Sequence, residues 1–249
     1  MAHSQMITAV WALALLVPAV AALGQTKERP DDEQPAEKVA GPSYETKRLE
    51  GWTVLVNKEL IQQQSELADQ VLKQLEHQLY QIVRRLPAPA VRKLKKIQIW
   101  VEGKQPDSPG IIYRSDFQWL RDHGMNPEKY KCVEIANARN FVESTVRQPW
   151  LVLHELAHGF HHRFITSRYR NPEIIAAFRR ATGSKRYDSV LRDNGLREKA
   201  PALTDATEYF AESTESYFGT NDFYPFVRSK LKEHDPKMFE LVGRLWGES

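Results

Sequence analysis

The sequence predicts an α+β fold that is mostly helical, with a small sheet beside a histidine-bearing helix. Alternating apolar runs typical of strands lie at 52–56, at 97–101 and within 131–142. After residue 150, apolar residues recur mostly at helical spacing. Strands that cluster in one part of a chain and helices that dominate another are typical of the α+β class.

The other elements before residue 150 follow from local patterns. A long helix is predicted over 62–86, because its apolar residues recur every three or four positions and Pro87 then stops it. A short helix is predicted between Ser115, a suitable N-cap, and Gly124, a suitable residue just past a C-terminus. A strand within 131–142 then leads into the histidine-bearing helix.

The N-terminal residues predict export to the periplasm, the medium or the cell surface. Residues 7–23 are almost purely apolar, and Ala22-Leu23-Gly24 fits a signal-peptidase site before Gln25. We therefore predict a signal peptide over 1–24, with an uncleaved membrane anchor as the alternative. Residues 25–42 are charged and proline-bearing, which predicts a disordered linker, and the folded domain is expected over 43–249.

Composition argues against several classes of function. The net charge is +3 with acidic and basic residues interspersed, so no basic stripe is available and no nucleic-acid partner is expected. The single cysteine, Cys132, can form neither an intrachain disulfide nor a thiolate zinc site. We interpret Cys132 as a buried structural thiol.

Half of the eight histidines lie between positions 154 and 162, in the stretch LVLHELAHGFHHRF. With roughly 100° per residue on a helix, His154 and His158 project side by side. Their face lies outside an apolar stripe formed by Leu153, Leu156, Ala157, Phe160 and Phe164. Two imidazoles so placed can bind one zinc ion (Zn²⁺), so we interpret both as metal ligands.

Glu155 lies further round the same helix. There it can reach a water on the metal and accept its proton as a general base, which is the H-E-x-x-H arrangement. The spacing predicts His161 and His162 at the surface or behind the ligands. The alternative interpretation of the whole segment is a solvated face of histidine and glutamate.

A third ligand is expected from the stretch TDATEYFAESTESYF at 204–218. Thr204 or Asp205 can cap a helix that begins there. By the helical step, three glutamates share one face of it: Glu208, Glu212 and Glu215. Like charges so close repel one another unless a cation or a base lies among them. Beside the histidine helix, a metal site with two histidines and one glutamate is favoured over a solvated acidic face.

HELAH at 154–158, followed by EYFAE at 208–212, resembles the zincin peptidases related to anthrax toxin lethal factor and the Pro-Pro endopeptidases. The run ESYFGTNDFYPF is similar to a secreted bacterial branch of this clan. The resemblance implies a zinc metallopeptidase with a zincin-like catalytic domain. It also implies Glu208 as the third zinc ligand, and Glu212 as a partner that orients a liganding histidine.

The resemblance further implies a peptide or protein substrate, held extended along the edge strand of the sheet. We place the segment CVEIANARNF, at 132–141, at that edge. A weaker likeness of GTNDFY to aspartate-liganded zincins offers Asp222 as a ligand, which ranks below Glu208.

One position departs from the family pattern. The family carries a tyrosine seven residues before the liganding glutamate, and its hydroxyl stabilises the oxyanion. The matching position here is Pro201. Three other tyrosines are candidate substitutes: Tyr187, Tyr209 and Tyr224. The departure keeps open an alternative function, that of a weak or inactive zinc-binding pseudopeptidase that binds peptides or a surface partner.

Overall fold

A computed structural model describes residues 43–105 and 108–248. The signal peptide predicted over 1–24 and the linker predicted over 25–42 lie outside these residues. Within them, no helix combines the length and the apolar character needed to cross a membrane.

Five strands form one mixed sheet in the order β1-β2-β3-β5-β4. They are β1 (Tyr44–Leu49), β2 (Trp52–Asn57), β3 (Ile99–Val101), β4 (Ile112–Tyr113) and β5 (Val133–Ile135). The pairs β1/β2 and β4/β5 are antiparallel, whereas β2/β3 and β3/β5 are parallel. The edges of the sheet are therefore β1 and β4.

Helices make up most of the rest of the described chain. They are α1 (Lys58–Gln63), α2 (Ser65–Arg85), α3 (Ala88–Leu94), α4 (Phe117–Asp122), α5 (Ala138–Arg147), α6 (Leu151–Phe164), α7 (Pro172–Ser184), α8 (Ala206–Phe218), α9 (Arg228–His234) and α10 (Pro236–Trp246). A small antiparallel pair, β6 (Val190–Leu191) and β7 (Arg197–Glu198), lies between α7 and α8. The predicted class, α+β and mostly helical with a small sheet, is confirmed.

The predicted elements before residue 150 are found with small shifts. The strands expected at 52–56 and 97–101 are β2 and β3, and the long helix is α2. The short helix α4 is capped by Asp116 rather than by Ser115, because the Asp116 side chain accepts the hydrogen bond of the Trp119 N–H.

The segment CVEIANARNF was placed at the sheet edge, and this prediction is wrong. Its strand, β5, pairs with β3 on one side and with β4 on the other, so its backbone is already satisfied. The remainder forms α5, whose cap is Asn137; its side chain accepts the hydrogen bond of the Asn140 N–H. The edge strand nearest the histidine-bearing helix is β4. Its two residues are too few to show the alternating pattern by which a strand is predicted from sequence.

Helix α6 lies against the sheet edge at one side and against α8 at another. Gly159 permits the close approach to the sheet. A Cβ atom there would lie 2.6 Å from the Ile97 Cδ1 and 3.0 Å from the Tyr113 ring. The apolar residues of α6 join the main hydrophobic core, while the half-buried Glu155 faces the edge strand. The fold thus brings the glutamate of the histidine motif to β4.

Candidate metal centre

Two turns of α6 and the first turn of α8 meet at one point. The His154 Nε2 and His158 Nε2 atoms lie 3.1 Å apart. The Glu208 carboxylate closes the triangle, with Oε2 at 3.2 Å from the His154 Nε2 and Oε1 at 3.3 Å from the His158 Nε2. The three residues predicted as ligands are therefore brought together, and they form a group that could hold a metal ion.

The donor set and its dimensions fit zinc. Tetrahedral ligands at about 2.0–2.1 Å from a zinc ion lie roughly 3.3–3.4 Å from one another. The three distances between these side chains are 3.1, 3.2 and 3.3 Å. Two imidazoles and one carboxylate are also a donor set that zinc commonly takes. The residues present could hold this ion with little rearrangement.

The cap of α8 places Glu208. Asp205 has an extended backbone and its side chain accepts the hydrogen bonds of the Thr207 and Glu208 N–H groups, at 2.7 and 3.0 Å. Of the two candidate caps, Thr204 and Asp205, the structure selects Asp205. Since the cap fixes the first helical turn, the direction of the Glu208 side chain toward α6 follows from it.

The partner of His154 is Glu215 rather than Glu212. The Glu215 Oε1 lies 2.6 Å from the His154 Nδ1, and the nearest Glu212 oxygen lies 4.0 Å away. A carboxylate that accepts the Nδ1–H of a histidine directs the Nε2 lone pair to the metal. By the helical step Glu215 lies about −20° from Glu208, and Glu212 lies about +40° from it. A modest rotation of α8 about its axis therefore decides which of the two glutamates faces the His154 Nδ1.

Glu212 has a different environment. It is buried, and its Oε2 accepts a hydrogen bond of 2.7 Å from the Asn221 side chain. Burial, with the charge of Glu215 next in size, raises the pKa of Glu212 to about 8. This shift favours the protonated, neutral form of Glu212.

The pKa values of Glu215 and Glu208 shift in opposite directions. Burial raises the pKa of Glu215, although its hydrogen bond to His154 acts in the other direction. Burial also acts to raise the pKa of Glu208, but the hydrogen bonds from His154 and His158 outweigh it and hold this pKa below its ordinary value. Glu208 is thus the carboxylate of this face that stays ionised most readily.

Glu155 faces a cleft of about 340 Å³ that it shares with His158 and Glu208. Its Oε2 accepts a hydrogen bond of 2.7 Å from the Tyr113 N–H, on the edge strand β4. Burial raises the pKa of Glu155, while His158 and His154 act to lower it. A carboxylate so placed accepts a proton more readily than a solvated one.

His161 and His162 do not lie at the surface. Their exposed fractions are 0% and 8%, because the turn at Arg168–Arg170 folds back onto α6 and covers them. The His162 Nδ1 lies 3.1 Å from the Tyr113 hydroxyl. Burial lowers the pKa of His161 to about 4, so this ring is neutral at neutral pH.

The three tyrosines considered as substitute donors lie away from the cleft. The hydroxyls of Tyr209 and Tyr187 point to the Asp235 carboxylate, at 2.5 and 3.4 Å. Tyr224 packs edge-on against the His234 ring. Two other tyrosines line the cleft, Tyr113 and Tyr169. The sequence offered no signal for Tyr169, because it lies in a single turn beyond the end of α6.

Asp222, the lower-ranked ligand, lies outside the histidine group. Its carboxylate oxygens lie 3.5 Å from the Gln148 Nε2 and 3.8 Å from the Arg192 Nε. The described metal-binding groups contain His154 with glutamates and do not include Asp222.

Comparisons with known proteins yield one distant similarity. No protein-family model matches the chain, and no curated protein matches it. Among solved structures, the Pro-Pro endopeptidase from Paenibacillus alvei is similar over 67% of this chain and 86% of its own, at 18% identity and a TM-score of 0.37. A similarity this weak establishes neither the family nor the activity of the chain.

Proposed function

We propose that this protein is an exported, zinc-dependent metallopeptidase. The observation that carries the proposal is the convergence of His154, His158 and Glu208 at mutual distances of 3.1 to 3.3 Å, beside a cleft that Glu155 faces. The export part rests on the N-terminal sequence. The family resemblance of HELAH and EYFAE points to the same activity.

In the proposed mechanism, His154, His158 and Glu208 hold the zinc ion. Zinc, when bound, supplies a Lewis acid that polarises the scissile carbonyl and lowers the pKa of the attacking water. Glu215 accepts the Nδ1–H of His154 and so keeps its Nε2 turned toward the centre.

Glu155 carries the proton. It accepts a proton from the water as the water oxygen attacks the carbonyl carbon. It then delivers that proton to the amide nitrogen as the C–N bond breaks. The Tyr113 N–H holds the carboxylate in place from the edge strand.

The hydrogen bond between the Tyr113 N–H and Glu155 also supports a class of substrate. Because Glu155 is hydrogen-bonded to the backbone of β4, a chain lying along this edge would pass next to the base. Extended peptides bind sheet edges through main-chain hydrogen bonds. We therefore propose a peptide or a protein segment in extended form as the substrate.

A second candidate function is a zinc-binding pseudopeptidase. It is favoured by Pro201, which begins a single 3₁₀ turn where the family resemblance expects a tyrosine hydroxyl. Such a protein would bind zinc and peptides without cleaving them.

The proposal is tested with the purified protein, stripped of metal by a chelator and then reloaded with zinc. Cleavage of a diverse peptide library is followed by mass spectrometry, and bound zinc is measured by elemental analysis. Glu155→Gln is expected to lower the cleavage rate by about 10²- to 10⁴-fold while zinc stays bound, because a general base contributes about that much. Glu143→Gln, on the exposed face of α5, is the matched control and should cleave normally.

Two outcomes would contradict the proposal. Full activity of the Glu155→Gln variant would exclude the mechanism, and a protein that retains no zinc after dialysis would exclude the metal centre. Zinc and peptide binding without cleavage by the wild type would favour the pseudopeptidase.

A further inference from the structure

Tyr169 occupies a place in the cleft that the mechanism above leaves unused. It lies in the single turn Arg168–Arg170, which packs back against α6. Its side chain lines the same cleft as Glu155, His158 and Glu208. The residue is half-buried, so part of its side chain remains accessible to a substrate.

The ring of Tyr169 is held by the two histidines at the end of α6. It stacks on the His162 ring, with centroids 4.8 Å apart and planes 16° apart. It meets the His161 ring edge-on at 5.0 Å and 84°. The His162 ring is itself fixed by the Tyr113 hydroxyl, 3.1 Å from its Nδ1. His161 and His162 thus form a rigid support for one phenol ring.

The O–H of Tyr169, in contrast, is loosely held. It donates to the His158 carbonyl oxygen at 3.3 Å, which is longer than the usual O–H···O distance of about 2.7–2.8 Å. The Ser115 side chain is also hydrogen-bonded to the phenol, in the direction that leaves the Tyr169 O–H free to donate. A hydrogen bond this long is weak, so the O–H can turn to a better acceptor at little cost. A phenol, with an ordinary pKa of about 10, keeps its proton at neutral pH and remains a donor.

We propose that Tyr169 is a catalytic residue that donates a hydrogen bond to the oxyanion of the substrate, in place of the tyrosine missing at Pro201. This inference rests on the proposed function. The hydroxyls of Tyr187 and Tyr209 are held by Asp235. Two tyrosines line the cleft, Tyr113 and Tyr169, and the Tyr113 hydroxyl is paired with the His162 Nδ1, so Tyr169 is the better donor.

The reaction step balances without any further reactant. The water oxygen forms a bond to the carbonyl carbon, the π electron pair of the C=O bond moves onto its oxygen, and Glu155 takes the water proton. Tyr169 donates a hydrogen bond to that oxygen and keeps its own proton. When the electron pair returns, the C–N bond breaks and the nitrogen takes the proton from Glu155.

The test removes one hydroxyl at a time from the zinc-loaded protein. Tyr169→Phe is expected to lower kcat for the best-cleaved library peptide by about 10²- to 10³-fold with KM unchanged, because one oxyanion donor contributes about that much. Tyr224→Phe removes an equivalent hydroxyl outside the cleft and should leave kcat unchanged. Zinc content and melting temperature are measured for both variants.

A second readout does not depend on turnover. A phosphonamidate analogue of the same peptide mimics the tetrahedral oxyanion, and its affinity is measured by calorimetry. Tyr169→Phe is expected to weaken this analogue by a factor similar to the loss in kcat. It should leave the affinity of the uncleaved parent peptide, measured in the Glu155→Gln background, unchanged.

The outcomes separate this inference from the proposed function. An active wild type with unchanged kcat and unchanged analogue affinity in Tyr169→Phe would overturn the inference alone. A fall in kcat that is matched by an equal fall in zinc content would also overturn it, since Tyr169 would then be structural. A zinc-loaded wild type that cleaves no peptide would overturn the proposed function, and this inference with it.

Discussion

Two clusters of buried carboxyl groups in this protein are neutralised in different ways. The sheet cluster lies at the ends of neighbouring strands and comprises Glu102, Arg114, Lys129 and Glu134. The helix cluster lies between α6 and α8 and comprises His154, His158, Glu208, Glu212 and Glu215. Both bury acids that would be costly without partners.

In the sheet cluster each acid has a permanent base. The Lys129 Nζ lies 2.5 Å from both Glu102 and Glu134, and the Arg114 Nε lies 2.5 Å from Glu134. Two acids and two bases therefore balance within the protein. Since Arg114 directly follows β4 and Glu134 lies in β5, the cluster also ties the edge strand to the sheet.

In the helix cluster the bases that pair with the acids are histidines. Among the described residues, no lysine or arginine side chain pairs with its three glutamates, and the Oε2 of Glu215 is buried without a hydrogen-bond partner. Burial raises the pKa values of Glu212 and Glu215 accordingly. The contrast shows that the first cluster balances its acids with permanent bases, whereas the second has only histidines, whose place as a source of positive charge a divalent cation could take.

The largest expected effect is a loss of stability in the sheet cluster that does not depend on zinc. Glu134→Gln leaves Arg114 and half of the Lys129 interaction uncompensated in a buried site. We expect the free energy of unfolding to fall by about 3–5 kcal/mol, equally with zinc and with a chelator. Urea denaturation under both conditions measures this free energy of unfolding. A loss that appears only with zinc would contradict the distinction between the two clusters.

The matching substitution in the helix cluster should behave in the opposite way. Zinc at about a thousand times its Kd should stabilise the wild type by about 4 kcal/mol. Glu208→Gln removes one ligand, so most of this zinc-dependent gain should disappear, whereas Glu134→Gln should retain it. The same denaturation series, with zinc and with chelator, provides the measurement; an undiminished gain would show that Glu208 does not bind the ion.

A pH series tests whether a protonated His161 could supply a positive charge near the helix cluster. Burial lowers its pKa to about 4, below the ordinary value of about 6.5. Between these values the unfolded chain binds the proton first, so the folded state should lose stability as the pH falls from 6.5 to 4, by up to about 3 kcal/mol. In chelated protein, His161→Leu should flatten the curve over this window, and an unchanged curve would assign the loss to other groups.

The smallest expected effect distinguishes the two glutamates behind the ligands. Glu215→Gln weakens the acceptor of the His154 Nδ1–H and should lower zinc affinity by about 10- to 100-fold. Glu212→Gln should change it far less, because the nearest Glu212 oxygen lies 4.0 Å from the His154 Nδ1. Competition with a chromophoric chelator measures both affinities, and a reversed order would restore Glu212 to the role predicted from sequence.

Much of the candidate site could be predicted from the sequence because it depends on local helix geometry. The four-residue spacing of His154 and His158, the position of Glu155 between them and a cap at Thr204 or Asp205 are properties of single helices. That Glu208, Glu212 and Glu215 share one face of their helix follows from the same step. These features need no knowledge of how the elements pack.

The remaining features depend on contacts between distant segments. Glu215 reaches His154 across 61 positions, and a rotation of α8 by less than one residue step would have presented Glu212 instead. That β4 is the edge, that His161 and His162 are covered, and that Tyr169 faces the cleft all follow from how separate segments pack together. No local period in the sequence encodes these contacts, because each depends on the surface that the rest of the fold provides.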